Sequence, residues 1–433
     1  MKIAVVGMGF VGLTLATVYS KKFKVFGIEN NKEKLKNLKL GNLSFFEPHL
    51  SSLVKQGIAS GNLVFLPRVD DVFEKLDFIF VTVGTPTVKG KIDLQFVKST
   101  IKQIGKCLLN SKNNPIIVIK STIAPETTEK IILPLLEKHS GKKEGKDFYV
   151  ATNPEFLREG SAVQDQVKPH VIVVGYNDNF VLKKTKNLFL KIHDKSTPIH
   201  FTNFATSELI KYSNNAFLAT KISFINSIAN LCQKIQGANV DEIAKIIGMD
   251  PRIGSMFLKA GPGYGGSCLP KDLSSLISVY KNHQLEPKFF KGVKDANEKQ
   301  IKVISTLVEK KLNKIKKPTV SILGLSFKEN SDDIRESRSI YLIKKLLKLN
   351  YQIKVHDPMA LEHTRKVFLD TISYCDNITD CLTKSDCAVI MTPWDQYRKL
   401  SKEFLLMKNK HVIDTRRILN DKSKLDYLGI GIN

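Results

Sequence analysis

The sequence predicts an α/β protein with two doubly wound parallel-sheet units joined by a long central helix and a smaller helical region. Three observations predict this. Strand-length apolar runs alternate with amphipathic segments over the first ~200 residues. A stretch without proline or glycine follows, from Thr202 to Gln236. At Lys317-Pro318 the strand–helix alternation restarts.

Ile3–Val6, Lys24–Ile28, Phe78–Val83, Ile116–Lys120 and Val171–Val174 read as buried parallel strands. Segments near 11–21, 94–109, 125–138 and 178–190 read as their crossover helices. Apolar positions in 202–236 recur at helical spacing, and a helix of ~35 residues would run ~52 Å. Its stripe Ile222, Ile225, Ile228, Ala229 and Cys232 needs burial, which a two-fold contact between copies would supply. In the last third, Val320–Leu323, Ile353–Val355, Cys387–Met391 and His411–Ile413 read as strands and 338–349 as a helix. The expected domains are therefore 1–201, 202–313 and 314–433.

Gly7-Met8-Gly9-Phe10-Val11-Gly12 stands between an apolar strand and a helical pattern. In G-x-G-x-x-G the first glycine permits a tight turn, and the second lets the backbone approach a pyrophosphate. The third packs the helix on the strand, and amides at the helix start face the phosphates. Glu29 closes the second strand, where an acid binds the adenosine ribose. This points to a Rossmann-type NAD site, with NAD favoured because a carboxylate repels the 2′-phosphate of NADP. Lys32 and Lys34 lie close by and weaken that preference. The order strand, glycine turn, helix, strand, acid recurs around Gly324 and Asp357, so the last domain reads as a second Rossmann-like unit. There Gly324-Leu325-Ser326-Phe327-Lys328 replaces the fingerprint, which suits a diphosphate with a cationic partner better than a second NAD.

The stretch from Gly261 to Asp272, GPGYGGSCLPKD, holds four glycines and then Cys268, with Pro270 suited to a helix start. A cysteine beside a helix N-terminus and near Lys271 is favoured as a thiolate. The same residues also fit a buried cysteine after a glycine loop. Asp272 falls in the first turn, where it can hold a proton-carrying water. Asn153 to Gly160, NPEFLREG, is a polar loop where an α/β sheet binds ligands. Lys211 and Asn215 share a helix face and could steady an oxyanion. On the residues alone, Lys211 as a surface partner of Glu208 is the favoured reading.

The net charge is +25, spread along nearly every segment without a dense basic tail. That argues for a solvated face and against nucleic-acid binding. Six cysteines form no CxxC and no metal-ligand spacing, so free thiols in a reducing cytoplasm are expected, with no metal. Glycines interrupt the N-terminal apolar run as no signal peptide requires. No stretch reaches the ~18 uncharged residues of a membrane span.

GMGFVG, Thr122 within KST, NPEFLREG, ELIKYSNNAFLATKISFIN, GPGYGGSCLPKD and GLSFKENSDDIRES occur in one shared order. With these the chain resembles the UDP-glucose/GDP-mannose dehydrogenase family over essentially its whole length. The resemblance implies a four-electron oxidation of a sugar CH₂OH to a carboxylate using two NAD⁺. Cys268 would capture the aldehyde as a thiohemiacetal, which is oxidised to a thioester and hydrolysed. By the same resemblance Glu155 and Thr122 position water, Lys211 and Asn215 steady the oxyanion, and Asp272 assists proton transfers. Phe156, Leu157, Arg252, Phe257, Leu258, Lys259, Gly265, Lys328 and Arg416 would hold the sugar nucleotide. Arg252 would reach a neighbouring subunit's site in a homodimer or higher oligomer. Gly7, Gly9, Phe10, Val11, Gly12, Glu29, Lys34, Thr85, Thr122, Glu159, Lys271 and Arg335 would contact NAD.

The sugar nucleotide implied is UDP-glucose, with GDP-mannose or a UDP-N-acetylhexosamine as alternatives. Ser267 stands where the N-acetylhexosamine enzymes typically carry histidine. A non-catalytic nucleotide-sugar-binding protein is a further alternative. Departures from the family pattern are Glu29 for Asp, His49 for Gly, Pro169-His170 without the usual Asp-Arg, and Thr415 for Gly.

Overall fold

The computed structural model describes residues 1–88 and 90–432. It divides into two compact units, Met1–Asn214 and Asn215–Asn433, and the division falls inside the helix Phe204–Cys232.

The first unit contains β1 (Lys2–Val6), β2 (Lys24–Ile28), β3 (Leu63–Leu66), β4 (Phe78–Val81), a small hairpin of β5 (Thr87–Val88) and β6 (Lys91–Ile92), then β7 (Ile116–Ile119), β8 (Tyr149–Thr152), β9 (Ile172–Gly175) and β10 (Ile199–Thr202). All but the hairpin form one sheet in the order β10-β9-β8-β7-β4-β1-β2-β3. The chain starts at β1, winds outward to β3 and returns to β4 on the other side. The crevice at that switch is where such sheets bind ligands. Alternate residues of the strands enter opposite cores. Ile3, Val5, Phe78 and Phe80 face one, and Ala4, Val6, Ile79 and Val81 face the other. Burial on both faces is why these strands read as continuous apolar runs.

One expectation needs correction. The strand at Val171–Val174 is not parallel to its neighbour, because β8 pairs β9 antiparallel. The helix between them, Ala162–Val167, has six residues and rises only ~9 Å. The two strands meet at the residue pair Thr152 and Gly175, the C-terminal end of each, where Asn153 Nδ2 also donates to Val173 O. β10 then pairs parallel with β9.

The second unit holds a wholly parallel six-stranded sheet in the order β13-β12-β11-β14-β15-β16. Its strands are β11 (Thr319–Leu323), β12 (Gln352–His356), β13 (Ser373–Tyr374), β14 (Cys387–Ile390), β15 (His411–Asp414) and β16 (Asp426–Gly429). The sequence echo is repeated atom by atom. Gly7 (φ +99) donates its N–H to Ile28 O at 2.9 Å, and Gly324 (φ +98) donates to His356 O at 2.9 Å. A Cβ on Gly7 would meet Val83 after β4, and one on Gly324 would meet Thr392 after β14. Each sheet's first strand also opens under an aspartate, Asp77 Oδ2 on Lys2 N–H and Asp386 Oδ2 on Thr319 N–H.

The long helix has 29 residues, nearer ~44 Å than the expected ~52 Å. Asn203 Oδ1 accepts from Thr206 N–H at 2.8 Å and caps its start. The expected two-fold stripe also needs correction. Ile225, Ala229 and Cys232 are buried within the second unit's own core. The exposed apolar stripe is instead Phe217, Phe224 and Leu231, spaced by seven residues and each at least half exposed.

Helix Leu50–Ala59 begins after His49, which has φ +66. A left-handed residue with a Cβ costs about 1–2 kcal/mol, while glycine loses roughly 0.5–1 kcal/mol more entropy on folding. The His49 side chain is exposed and contributes little packing. His49→Gly is therefore expected to stabilise the fold by about 0.5–1 kcal/mol, read as a higher denaturant midpoint; a lower midpoint would contradict this account.

Candidate active site

At the glycine turn, Gly9 is the N-cap of helix Phe10–Ser20, so Phe10 and Val11 open the helix. A Cβ on Gly12 would collide with Gly7 O and Thr82 Oγ1, whereas one on Gly9 would meet open space. Gly12 thus packs helix on strand, and Gly9 leaves the backbone approachable. Glu29 is buried, accepting from Asn31 N–H at 3.1 Å and pairing with Lys34 Nζ at 2.9 Å. Thr85 is buried and Thr122 half-buried, on the loops that leave β4 and β7.

A charged cluster lies beyond β7 and β8. Glu155 Oε1 accepts from Lys211 Nζ at 2.9 Å, and Glu155 Oε2 accepts from Leu157 N–H at 2.6 Å. The Lys211 and Glu155 side chains are only 4% and 7% exposed. Burial alone would raise the Glu155 pKa; the Lys211 ammonium, the Leu157 amide and Lys120 outweigh it and hold the carboxyl below its ordinary 4.5. Lys211 Nζ also stands 5.4 Å from the centre of the Phe156 ring. The bland reading of Lys211, a surface partner of Glu208, is thereby replaced by a buried pair with Glu155.

In the second unit Cys268 is half-buried at the N-cap of helix Leu269–Asn282, with Ser267 Oγ 3.6 Å from its sulfur. Asp272, 1% exposed, lies one turn on. It accepts from Asn215 Nδ2 at 2.6 Å through Oδ2, and from Lys271 Nζ at 2.6 Å through Oδ1. The glycine loop before the cysteine is pinned from two helices. Asn226 Oδ1 accepts from Gly261 N–H, Gln300 Nε2 donates to Gly261 O, and Asn297 bonds both the N–H and the C=O of Tyr264. Gly263 (φ +106) and Gly266 (φ +81) need their missing side chains.

The other expected residues are dispersed. Leu258 is buried and Lys259 exposed, Phe257 has φ +65, and Gly265 packs against Glu336 O. Glu159 and Lys328 are half-buried. Arg416 donates Nε–H to Met391 O at 2.9 Å beside Gly261. Arg252 and Arg335 are largely exposed and fork onto Asp250 and Asp333. In the second sheet's turn, Asp357 Oδ2 accepts from Leu325 N–H at 2.7 Å and Ser326 N–H at 3.1 Å. The protein's own carboxylate thus occupies amides that a phosphate would use in a dinucleotide turn.

The model of the UDP-glucose/GDP-mannose dehydrogenase NAD-binding domain matches residues 1–193, that of the central domain 205–299, and that of the UDP-binding domain 321–421. The chain belongs to the UDP-glucose/GDP-mannose dehydrogenase family. A UDP-glucose 6-dehydrogenase of Haloferax volcanii is 36% identical over 431 residues, 99% of each chain. One from Bacillus subtilis is 36% identical over 424 residues, 97% of this chain and 90% of that one. The structure of a UDP-glucose dehydrogenase from Pyrobaculum islandicum superposes with a TM-score of 0.93 at 32% identity, covering 100% of this chain and 98% of that one.

Membership makes this protein an NAD-dependent nucleotide-sugar dehydrogenase, and the first unit's turn fits that cofactor. Gly9 is open, Gly12 is closed, and Glu29 is fixed at the end of β2. When bound, NAD⁺ supplies the hydride acceptor. Among the described residues no helix is long and apolar enough to cross a membrane.

Several functional supports escaped sequence reasoning. Lys120 is buried, donates to Asn153 Oδ1 at 2.9 Å, and is pushed down to about 8 by burial. Its sequence signal is its place in the Lys120-Ser121-Thr122 tripeptide. Glu47 accepts from Gly160 and Ala162 N–H, both at 2.7 Å, and holds the end of NPEFLREG. Asn226, Asn297 and Gln300 gave no signal beyond being polar within apolar helices.

Removing one partner of a buried ion pair costs about 3–5 kcal/mol. Lys211→Met is expected to cost that much at pH 7. The Glu155 pKa is depressed, so the pair's contribution is present above 4.5 and lost as pH falls through the folded value. Variant and wild type should therefore converge in acid. Equal denaturant stability at pH 7 would contradict the pairing.

Proposed function

We propose that this protein oxidises UDP-glucose to UDP-glucuronate with two NAD⁺ through a covalent bond to Cys268. One observation carries the reading: a half-buried cysteine caps a helix whose first turn holds a carboxylate fixed by Asn215 and Lys271. The helix N-terminus favours a thiolate at Cys268, and the thiolate adds to the sugar aldehyde so that the adduct can lose a second hydride. Asp272 holds protons and water for hydrolysis. Lys211 and Asn215, four residues apart on one helix, steady the developing oxyanion, and Glu155 and Thr122 orient water. NAD contacts come from Gly7 to Gly12, Glu29, Lys34, Thr85, Glu159, Lys271 and Arg335. Phe156, Leu157, Phe257 to Lys259, Gly265, Lys328 and Arg416 hold the nucleotide sugar.

Two comparisons favour UDP-glucose. The curated relatives from Haloferax volcanii, Rickettsia bellii and Bacillus subtilis are named UDP-glucose 6-dehydrogenases. A GDP-mannose dehydrogenase from Pseudomonas aeruginosa superposes with a TM-score of 0.57 and a UDP-D-ManNAc dehydrogenase from Pyrococcus horikoshii with 0.88, against 0.93 for the UDP-glucose enzyme.

The proposal extends to organisation. Residues 1–201 bind NAD, 202–313 carry the cysteine loop and the dimer contact, and 314–433 bind the UDP moiety. The location proposed is the cytoplasm and the assembly a homodimer, the latter supported by exposed Phe217, Phe224 and Leu231 on one stripe, with exposed Met249, Ile253 and Met256 around Arg252. Such a patch calls for a partner, and Arg252 would complete the partner's site.

Cys268→Ser is expected to fold yet lose steady turnover, and Arg252→Ala to bind substrate weakly. Hybrids of the two, verified after co-expression, should recover part of the activity. Full carboxylate production by Cys268→Ser would overturn the covalent route, and verified hybrids without recovery would overturn the shared site.

A further inference from the structure

Within the first unit, Ser121, Thr122, Thr152, Pro154, Glu208 and Lys211 line a small cavity of about 10 Å³, room for about one water. Two polar atoms of its walls, Glu208 Oε2 and Thr152 Oγ1, are buried without a hydrogen-bond partner among the described residues. Glu208 and Thr152 are 3% and 2% exposed. The other carboxylate oxygen, Glu208 Oε1, accepts from Thr128 N–H at 2.9 Å, so the side chain is anchored. A buried carboxylate oxygen and a hydroxyl facing one cavity are the partners an internal water needs.

We propose that Glu208 and Thr152 hold a buried water beside Lys211, and that Glu208 is the proton acceptor Lys211 reaches through it. The inference rests on the dehydrogenase reading above and deepens it. Oxidising CH₂OH to COO⁻ sends two hydrides to two NAD⁺, takes one oxygen from water, and releases three protons. In the relay Lys211 takes a proton released by the oxidation as it gives one to the water, and the water gives one to the Glu208 carboxylate. Lys211 stays an ammonium paired with Glu155, the water is regenerated and Glu208 becomes the carboxylic acid, so atoms and charge balance.

The groups around Glu208 favour this. Burial raises its pKa to about 7, with Glu129 adding a little repulsion, while the Thr128 hydroxyl, the Thr128 amide and the backbone at Glu126 lower it. Lys211 is the cation lining the same cavity; the strand-side walls supply Ser121, Thr122 and Thr152, which are neutral. The carboxyl therefore exchanges protons near neutrality, and only its ionised form accepts them.

Glu208→Gln keeps an oxygen for Thr128 N–H and removes the titration. Its kcat at pH 7 is expected to fall about tenfold or more, with both KM values within about twofold. Wild-type kcat should rise with pH through about 7, and that limb should vanish in the variant. A merely structural Glu208 would leave kcat and the profile unchanged, which overturns the relay. Two readouts need no turnover. A high-resolution crystal structure should show a water bonded to Glu208 Oε2 and Thr152 Oγ1, and a dry cavity overturns the site. Infrared titration, wild type minus Glu208→Gln, should place the carboxyl midpoint near 7 and move it upward in Lys211→Met; an unmoved midpoint breaks the link. A wild type that oxidises no nucleotide sugar would sink the function while these two readouts still decide the site.

Discussion

The Lys211–Glu155 pair is the constraint on which the first unit's site depends. Two full charges 2.9 Å apart, almost wholly removed from water, each carry a desolvation cost of several kcal/mol that only a fixed partner offsets. The pair ties the long helix to the loop after β8. The loop is fixed in turn by Lys120 on Asn153, by Asn153 Nδ2 on Val173 O, and by Glu47 on Gly160 and Ala162. No member can shift without stranding a buried charge or amide. The result is a preset arrangement of charge, which is what stabilising an oxyanion requires.

The two sheets show one turn put to two uses. Gly7 and Gly324 share the same φ and the same bond to the neighbouring strand. In the first, an open Gly9 begins the helix. In the second, Asp357 fills the amides of Leu325 and Ser326, and Trp394 Nε1–H donates to the same oxygen. With these two amides already taken, the second sheet keeps the frame without the dinucleotide cradle. Membership of the UDP-glucose/GDP-mannose dehydrogenase family, whose third model is described as UDP binding, accords with that division.

What the sequence made legible was local. The GMGFVG turn and its acid were readable because glycine spacing, strand period and helix start all act within about 30 residues. The cysteine loop was readable because proline and glycines punctuate it. Pairings across long separations were not. Glu155 meets Lys211 across 56 residues and Asn215 meets Asp272 across 57, distances at which no periodicity speaks. Lys120 and Glu208 resemble ordinary polar residues until burial changes their chemistry. Four-residue strands such as β3 and β8 are too short to carry a pattern. The apolar stripe of the long helix was visible, but sequence could not say which side the chain itself would bury.

The proposed route has one site perform both oxidations of the same carbon. A thiol adduct retains the aldehyde, so no two-electron product escapes between hydride transfers. On the proposed route, Cys268 at a helix start would serve capture and the fixed Asp272 release. The most direct measurement is stoichiometry: NADH formed per UDP-glucose consumed, with the product identified by mass. The account requires two NADH per sugar nucleotide and UDP-glucuronate as product; one NADH with free aldehyde would contradict it.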